Sequence, residues 1–186
     1  MVSLPALVVP IVVAAVFVFI VSSVLHMALT YHRKDYRQLP DEAGLMEALR
    51  RSAPEPGYYF FPYCPSHKDM KTPEMQERFQ RGPIGMLTVR PNGMPKLGGY
   101  LAQWFAFSLL IGLFCAYLAG RTLPPGTHYL QVFRVVGTAA FLGYGLGQIM
   151  DSIWKGMPWS NTARGVLDGL IYALTTAGVF GWLWPK

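Results

Sequence analysis

The chain has 186 residues, of which 52% are apolar and only 14% charged, with a formal net charge of +6; a soluble domain carries about a quarter charged residues. The charges are uneven: residues 1–29 have none, residues 30–97 hold 19 of 68, and residues 98–186 hold 7 of 89. This pattern excludes a soluble globular enzyme, a disordered tail and a disulfide-rich secreted domain. It predicts an all-α membrane protein with four transmembrane helices and a small α+β segment between helices one and two.

Three parts follow from the charge boundaries: an anchor helix in 1–29, a polar segment in 30–97 and a three-helix bundle in 98–186. A hydrocarbon core about 30 Å thick needs roughly 20 apolar residues. The expected spans are Leu7–Leu29, Gly98–Ala119, Val132–Met150 and Gly165–Trp184, each helical because lipid offers no partner to a free N–H or C=O. The first run lacks a basic leader and a small-residue cleavage site before His32, so it reads as an uncleaved span.

Within the polar segment, Asp41 is placed to cap a helix over Glu42–Arg51, with Arg50 and Arg51 suiting its negative end. Thr72-Pro73-Glu74 starts a second helix that stops at Gly82-Pro83. Tyr58–Tyr63 and Ile84–Val89 read as strands able to pair. Sixty-eight residues make a poor independent core, so Tyr58, Tyr59, Phe60 and Phe61 are the expected contact with a membrane face or a partner.

Orientation follows from basic residues near the helix ends. Arg33, Lys34, Arg37, Arg90, Lys96, Lys155 and Arg164 lie on one side, against Arg121, Arg134 and Lys186 on the other. Residues 30–97 and 151–164 are therefore expected in the cytoplasm and both termini outside. Trp104, Trp154, Trp159, Trp182 and Trp184 are expected as interfacial anchors, and Arg134 to snorkel outward.

Small residues recur at every fourth position: Gly165, Gly169, Ala173, Ala177 and Gly181 in span four, Ala139, Gly143 and Gly147 in span three, and Gly112, Ala116 and Gly120 in span two. Such faces let membrane helices approach closely, for internal packing or for a partner's helix. Gly143-Tyr-Gly-Leu-Gly147 lies in an apolar run and not after a strand, so it is a packing motif and no phosphate loop.

Candidate chemistry is sparse. Cys64, His67 and Met70 offer soft and borderline metal ligands, yet one Cys-x-x-His pair falls short of the four ligands of a structural zinc site. His26 is the only histidine expected near membrane depth, which argues against bis-histidine haem. Ionisable residues at that depth are the best pointers. His26, Gln148, Asp151, Arg164, Asp168 and Tyr172 reach one level and can converge as a polar cluster. The cluster reads as a proton relay, an ion site or a headgroup pocket, or more simply as an Arg164–Asp168 ion pair fixing helix register.

The stretch Ser152-Ile-Trp-Lys-Gly-Met-Pro-Trp159, with the helix ending Gly181-Trp-Leu-Trp-Pro185, resembles a family of small bacterial membrane proteins of unknown function, over about the last 80 residues and in topology. The resemblance implies a four-span fold in the bacterial inner membrane. It carries no catalytic residues, and the polar segment is longer here. The leading expectation is a non-catalytic accessory or structural subunit, with the bilayer and other membrane subunits or a homo-oligomer as partners, and with neither cofactor nor nucleic acid. The alternative is a small oligomeric transporter or channel using the Asp168 cluster. A membrane enzyme or metal-handling protein using Cys64, His67 and Met70 is a third.

Overall fold

Apolar runs unbroken by charge favour helices, and a computed structural model describing residues 1–186 is mostly helical. In chain order the elements are α1 (Val8–Met27), α2 (Glu42–Ser52), β1 (Gly57–Phe61), α3 (Pro73–Arg81), β2 (Gly85–Val89), α4 (Leu97–Thr122), α5 (Tyr129–Tyr144), α6 (Ile149–Lys155) and α7 (Trp159–Trp182). Leu4–Met27, Leu97–Thr122, Tyr129–Lys155 and Trp159–Trp182 are each long and apolar enough to cross a membrane. Two units result: Met1–Asp35 with Lys96–Lys186, and Tyr36–Pro95. The boundary between them falls after Asp35, so Tyr31–Asp35 go with the helices and not with the polar segment.

In the helical unit, α1 packs on α4 and α7, and α5 packs on the same two helices, closing a four-membered ring. The first helix is thus an integral wall of the bundle. Val2 N donates to Gly120 O at 2.8 Å, Gly126 N to Pro185 O at 2.8 Å, and Trp184 Nε1 to Pro124 O at 3.0 Å. Both termini and the α4–α5 loop therefore share one end. Leu7, Val18, Cys115, Val132, Val136, Thr176 and Phe180 fill the core without exposure. Outside, Val9, Val12, Phe17, Ile20, Phe107, Leu110 and Phe114 are exposed.

Span three is not one continuous helix. The α-helix ends at Tyr144, a 3-10 turn covers Leu146–Gln148, and α6 follows. Gly143, Gly145 and Gly147 hold helix weakly, and the break lies where α7 comes closest: a Cβ on Gly169 would stand 2.5 Å from Gly145 Cα. Gln148 straps the gap, its Nε2 donating to Tyr144 O and Gly165 O at 2.9 Å each. Gly156, in the left-handed region at φ +67°, turns the chain into α7. That helix starts at Trp159, six residues before the expected Gly165.

Most of the small-residue stripe is used inside the bundle. A Cβ at Gly165 would strike the Gln148 side chain, one at Gly181 the Tyr129 ring and one at Gly143 the Ile111 side chain. Ala173 and Ala177 are buried. Gly147 meets nothing within 4 Å, so its expected packing role is corrected: the 3-10 turn has rotated it off the contact face.

In the second unit Asp41 Oδ1 caps α2 from Gly44 N at 2.9 Å, and Thr72 Oγ1 caps α3 from Met75 N at 3.3 Å. β1 and β2 pair antiparallel, with Gly57 opposite Val89 and Phe61 opposite Gly85. Pro62 and Met75 are its only buried residues, in keeping with how little core so short a segment can build.

Candidate functional site: a buried His–Asp–Tyr cluster

At the end of the bundle opposite the termini, α1 stops at Met27 and the chain turns back as a 3-10 segment, Tyr31–Lys34. This segment reaches α7. Tyr31 OH donates to Asp168 Oδ1, and His32 Nε2 stands 2.9 Å from Asp168 Oδ2. Asp168 lies nine residues into α7, about 13 Å along its axis at 1.5 Å per residue, and is only 4% exposed. The sequence had suggested one turn.

Asp35 organises the other side. Its Oδ2 lies 2.6 Å from His32 Nδ1, its Oδ1 accepts from Arg164 Nε at 2.6 Å, and its backbone O accepts from Asn161 Nδ2 at 2.9 Å. Arg164 also donates from Nη2 to Asn161 Oδ1 at 2.8 Å. Burial works to raise the Asp35 carboxyl, but hydrogen bonds from His32 and Arg164 and the Arg164 charge hold it below its ordinary range. Tyr31 moves the other way. Burial first, then its bond to Asp168 and the charges of Asp168 and Asp35, push its phenol well up, so it remains a donor at neutral pH.

His26 closes the cluster. Its ring stacks on His32 at 4.4 Å and 9°, and its Nδ1 lies 3.0 Å from Ser22 O. Beneath lies an aromatic floor. Trp104 donates from Nε1 to Ser22 Oγ at 2.9 Å and packs 5.5 Å from the Tyr172 ring, which lies 5.7 Å from Tyr144. Trp104 is therefore part of the interior, and its reading as an interfacial anchor is corrected, as is that of Trp184, which is buried.

The expected six residues do not all meet. His26, Asp168 and Tyr172 belong to this end, and Arg164 does too, but it pairs with Asp35 and leaves Asp168 alone, so the expected Arg164–Asp168 ion pair is absent. Asp151 instead pairs with Lys155 Nζ at 2.6 Å within α6, and Gln148 serves the helix break. Tyr31, His32, Asp35 and Asn161 were missed as site residues. Their only sequence signal is a run of polar residues just after a span, which reads equally as a headgroup contact. Among Cys64, His67 and Met70, Cys64 Sγ donates to Ser66 O at 3.1 Å. The group whose ligand atoms converge lies elsewhere: His26, His32 and Asp168 each present one within 4.8 Å of the others.

Compared with family models, with curated proteins and with solved structures, the chain matches none.

Proposed function

We propose that this chain is a multi-pass membrane protein that binds a cation at Asp168. The carrying observation is a charge count. Asp35 and Arg164 neutralise each other, whereas Asp168 is buried against a phenol and an imidazole. A buried carboxyl group with no Lys or Arg beside it, held only by a phenol and an imidazole, is a natural complement to a cation. The outward apolar faces of α1 and α4 support a lipid setting. The Lys/Arg asymmetry supports a cytoplasmic location for the site and residues 30–97, with both termini outside, and the family resemblance adds the bacterial inner membrane. Below the aromatic floor the core is filled by Val18, Val136 and Phe180, so one copy offers a binding site and no path across.

Alkaline extraction should leave the protein in the membrane pellet. In detergent, a panel of Na⁺, K⁺, Mg²⁺, Ca²⁺, Mn²⁺, Co²⁺ and Zn²⁺ should contain a cation that raises the melting temperature. At a hundred times its dissociation constant a ligand adds about 2.7 kcal/mol, or roughly 5–11 °C for a chain of this size. Asp168→Asn should abolish the shift. No response of the wild type to any cation contradicts the reading.

A docking role as an accessory subunit has separate support in strand β1, where Tyr58, Tyr59, Phe60 and Phe61 are all exposed. Native mass measurement after gentle extraction tests it, and a chain that always emerges without other proteins contradicts it.

A further inference from the structure

The cation reading leaves open what kind of cation fits, and the hydrogen bonds around the two histidines narrow it. Resting on that reading, we infer that the site takes a first-row divalent transition metal, held by Nε2 of His26, Nε2 of His32 and the carboxylate of Asp168.

A carbonyl oxygen only accepts, so the 3.0 Å contact from His26 Nδ1 to Ser22 O places a proton on Nδ1. The 2.6 Å contact from His32 Nδ1 to Asp35 Oδ2 does the same, because Asp35 is paired through Oδ1 with Arg164 Nε at 2.6 Å and stands as an acceptor. Each ring then turns a bare Nε2 lone pair away from its support. This is the arrangement of metal-binding histidines, whose second nitrogen donates to a carboxylate or a backbone carbonyl and so fixes the tautomer and the ring. Asp35 is fixed in turn by Arg164 and Asn161.

A second observation points into the same space. His32 Nε2 is buried and 2.9 Å from Asp168 Oδ2, yet out of line for a hydrogen bond, and Tyr172 OH, one turn beyond Asp168 and 5% exposed as a residue, has no partner either. A cation seated between His32 Nε2 and Asp168 Oδ2 would give both buried atoms a partner. Ligands about 2.0–2.2 Å from a common metal stand nearer together than the 4.8 Å spread seen here. The contraction falls to His26, whose exposed ring can pivot about its Nδ1 bond to Ser22 O and bring Nε2 inward. Tyr31, bonded to Asp168 Oδ1, holds the carboxylate so that Oδ2 faces the histidines.

The donor set selects the metal class. Mg²⁺ and Ca²⁺ take oxygen ligands, whereas two imidazoles and one carboxylate suit Mn²⁺, Fe²⁺, Co²⁺ or Zn²⁺.

The test uses the full chain, purified in detergent without a histidine tag and stripped with chelator. CoCl₂, ZnCl₂, MgCl₂ and CaCl₂ are titrated separately, with calorimetric stoichiometry and the visible bands of Co²⁺ as readouts. One Co²⁺ or Zn²⁺ per chain is expected. His32→Gln and Asp168→Asn should each weaken binding more than 100-fold, beyond the 10–100-fold typical of a supporting partner, and Cys64→Ser with His67→Gln should leave it unchanged. His26→Gln, at the exposed ring, serves as the variant that keeps the fold: it should lose affinity while its metal-free melting matches the wild type. Binding unaffected by His26→Gln overturns the assignment. Stabilisation by Na⁺, K⁺, Mg²⁺ or Ca²⁺ alone overturns the metal class but leaves the cation reading standing, and silence from every cation removes both.

Discussion

The contact that sets the height of Asp168 in the bundle is backbone against backbone, and it can be tested by adding one methyl group. In Gly169→Ala the new Cβ would lie 2.5 Å from Gly145 Cα, 2.7 Å from Gly145 N and 2.8 Å from Tyr144 C. Carbon atoms rest at about 3.5–4.0 Å, so α5 and α7 must part by roughly 1 Å. None of the three atoms can rotate aside, which places the overpacking cost near the top of its usual range, about 3 kcal/mol. Replacing glycine by alanine in a helix returns up to about 1 kcal/mol. The net loss of about 2 kcal/mol corresponds to a melting temperature roughly 4–8 °C lower. Gly178→Ala is the internal control, since its Cβ would meet only Tyr129 OH at 3.7 Å. There the helix gain stands alone, and melting should rise by roughly 2–4 °C. Thermal melting of both variants in one detergent decides the matter. Gly169→Ala melting at or above the wild type, or both variants falling alike, refutes the close-approach argument.

Gln148→Leu removes both bonds of the strap and strands the Tyr144 carbonyl where α5 stops, while Gly165 O keeps its helical partner in α7, costing about 2 kcal/mol in the same melting assay. Asp35→Asn should weaken binding of the site's metal by about 10–100-fold in a Co²⁺ titration, because it releases His32 Nδ1 and Arg164 together. Its stability deficit should also depend on pH. A carboxyl whose value is lowered by folding contributes stability above its unfolded value, about 3.9, and loses that contribution as pH falls through the lower folded value, so the deficit should fade only in strong acid. Asp41→Ala and Thr72→Ala each delete one cap and should cost about 1 kcal/mol, read as faster amide exchange confined to the first turns of α2 and α3.

What the sequence made legible was local. The caps at Asp41 and Thr72 act within three residues, so a short pattern specifies them, and apolar length alone locates four helices to within a few residues at most ends. The larger misses share a cause. Trp159–Arg164 is polar enough to read as a loop, yet it is the first turn and a half of α7, where tertiary packing outweighs composition. Tyr31, His32 and Asp35 find their partners more than 120 residues away in α7, a separation that no periodicity encodes. Arg164 and Asp168 stand four apart on one helix, the spacing of a local ion pair. That pairing loses because Asp168 faces the bundle interior, already filled by Tyr31 and His32, while Arg164 reaches the less buried Asp35 at the rim.

The most direct measurement is the X-ray absorption spectrum of the chain loaded with one equivalent of Co²⁺ or Zn²⁺. Nitrogen and oxygen scatterers alone are expected at about 2.0–2.2 Å, with the outer-shell signature of two imidazoles. A sulfur scatterer at about 2.3 Å would place the metal on Cys64, and a spectrum without imidazole would remove it from His26 and His32; either result contradicts the account.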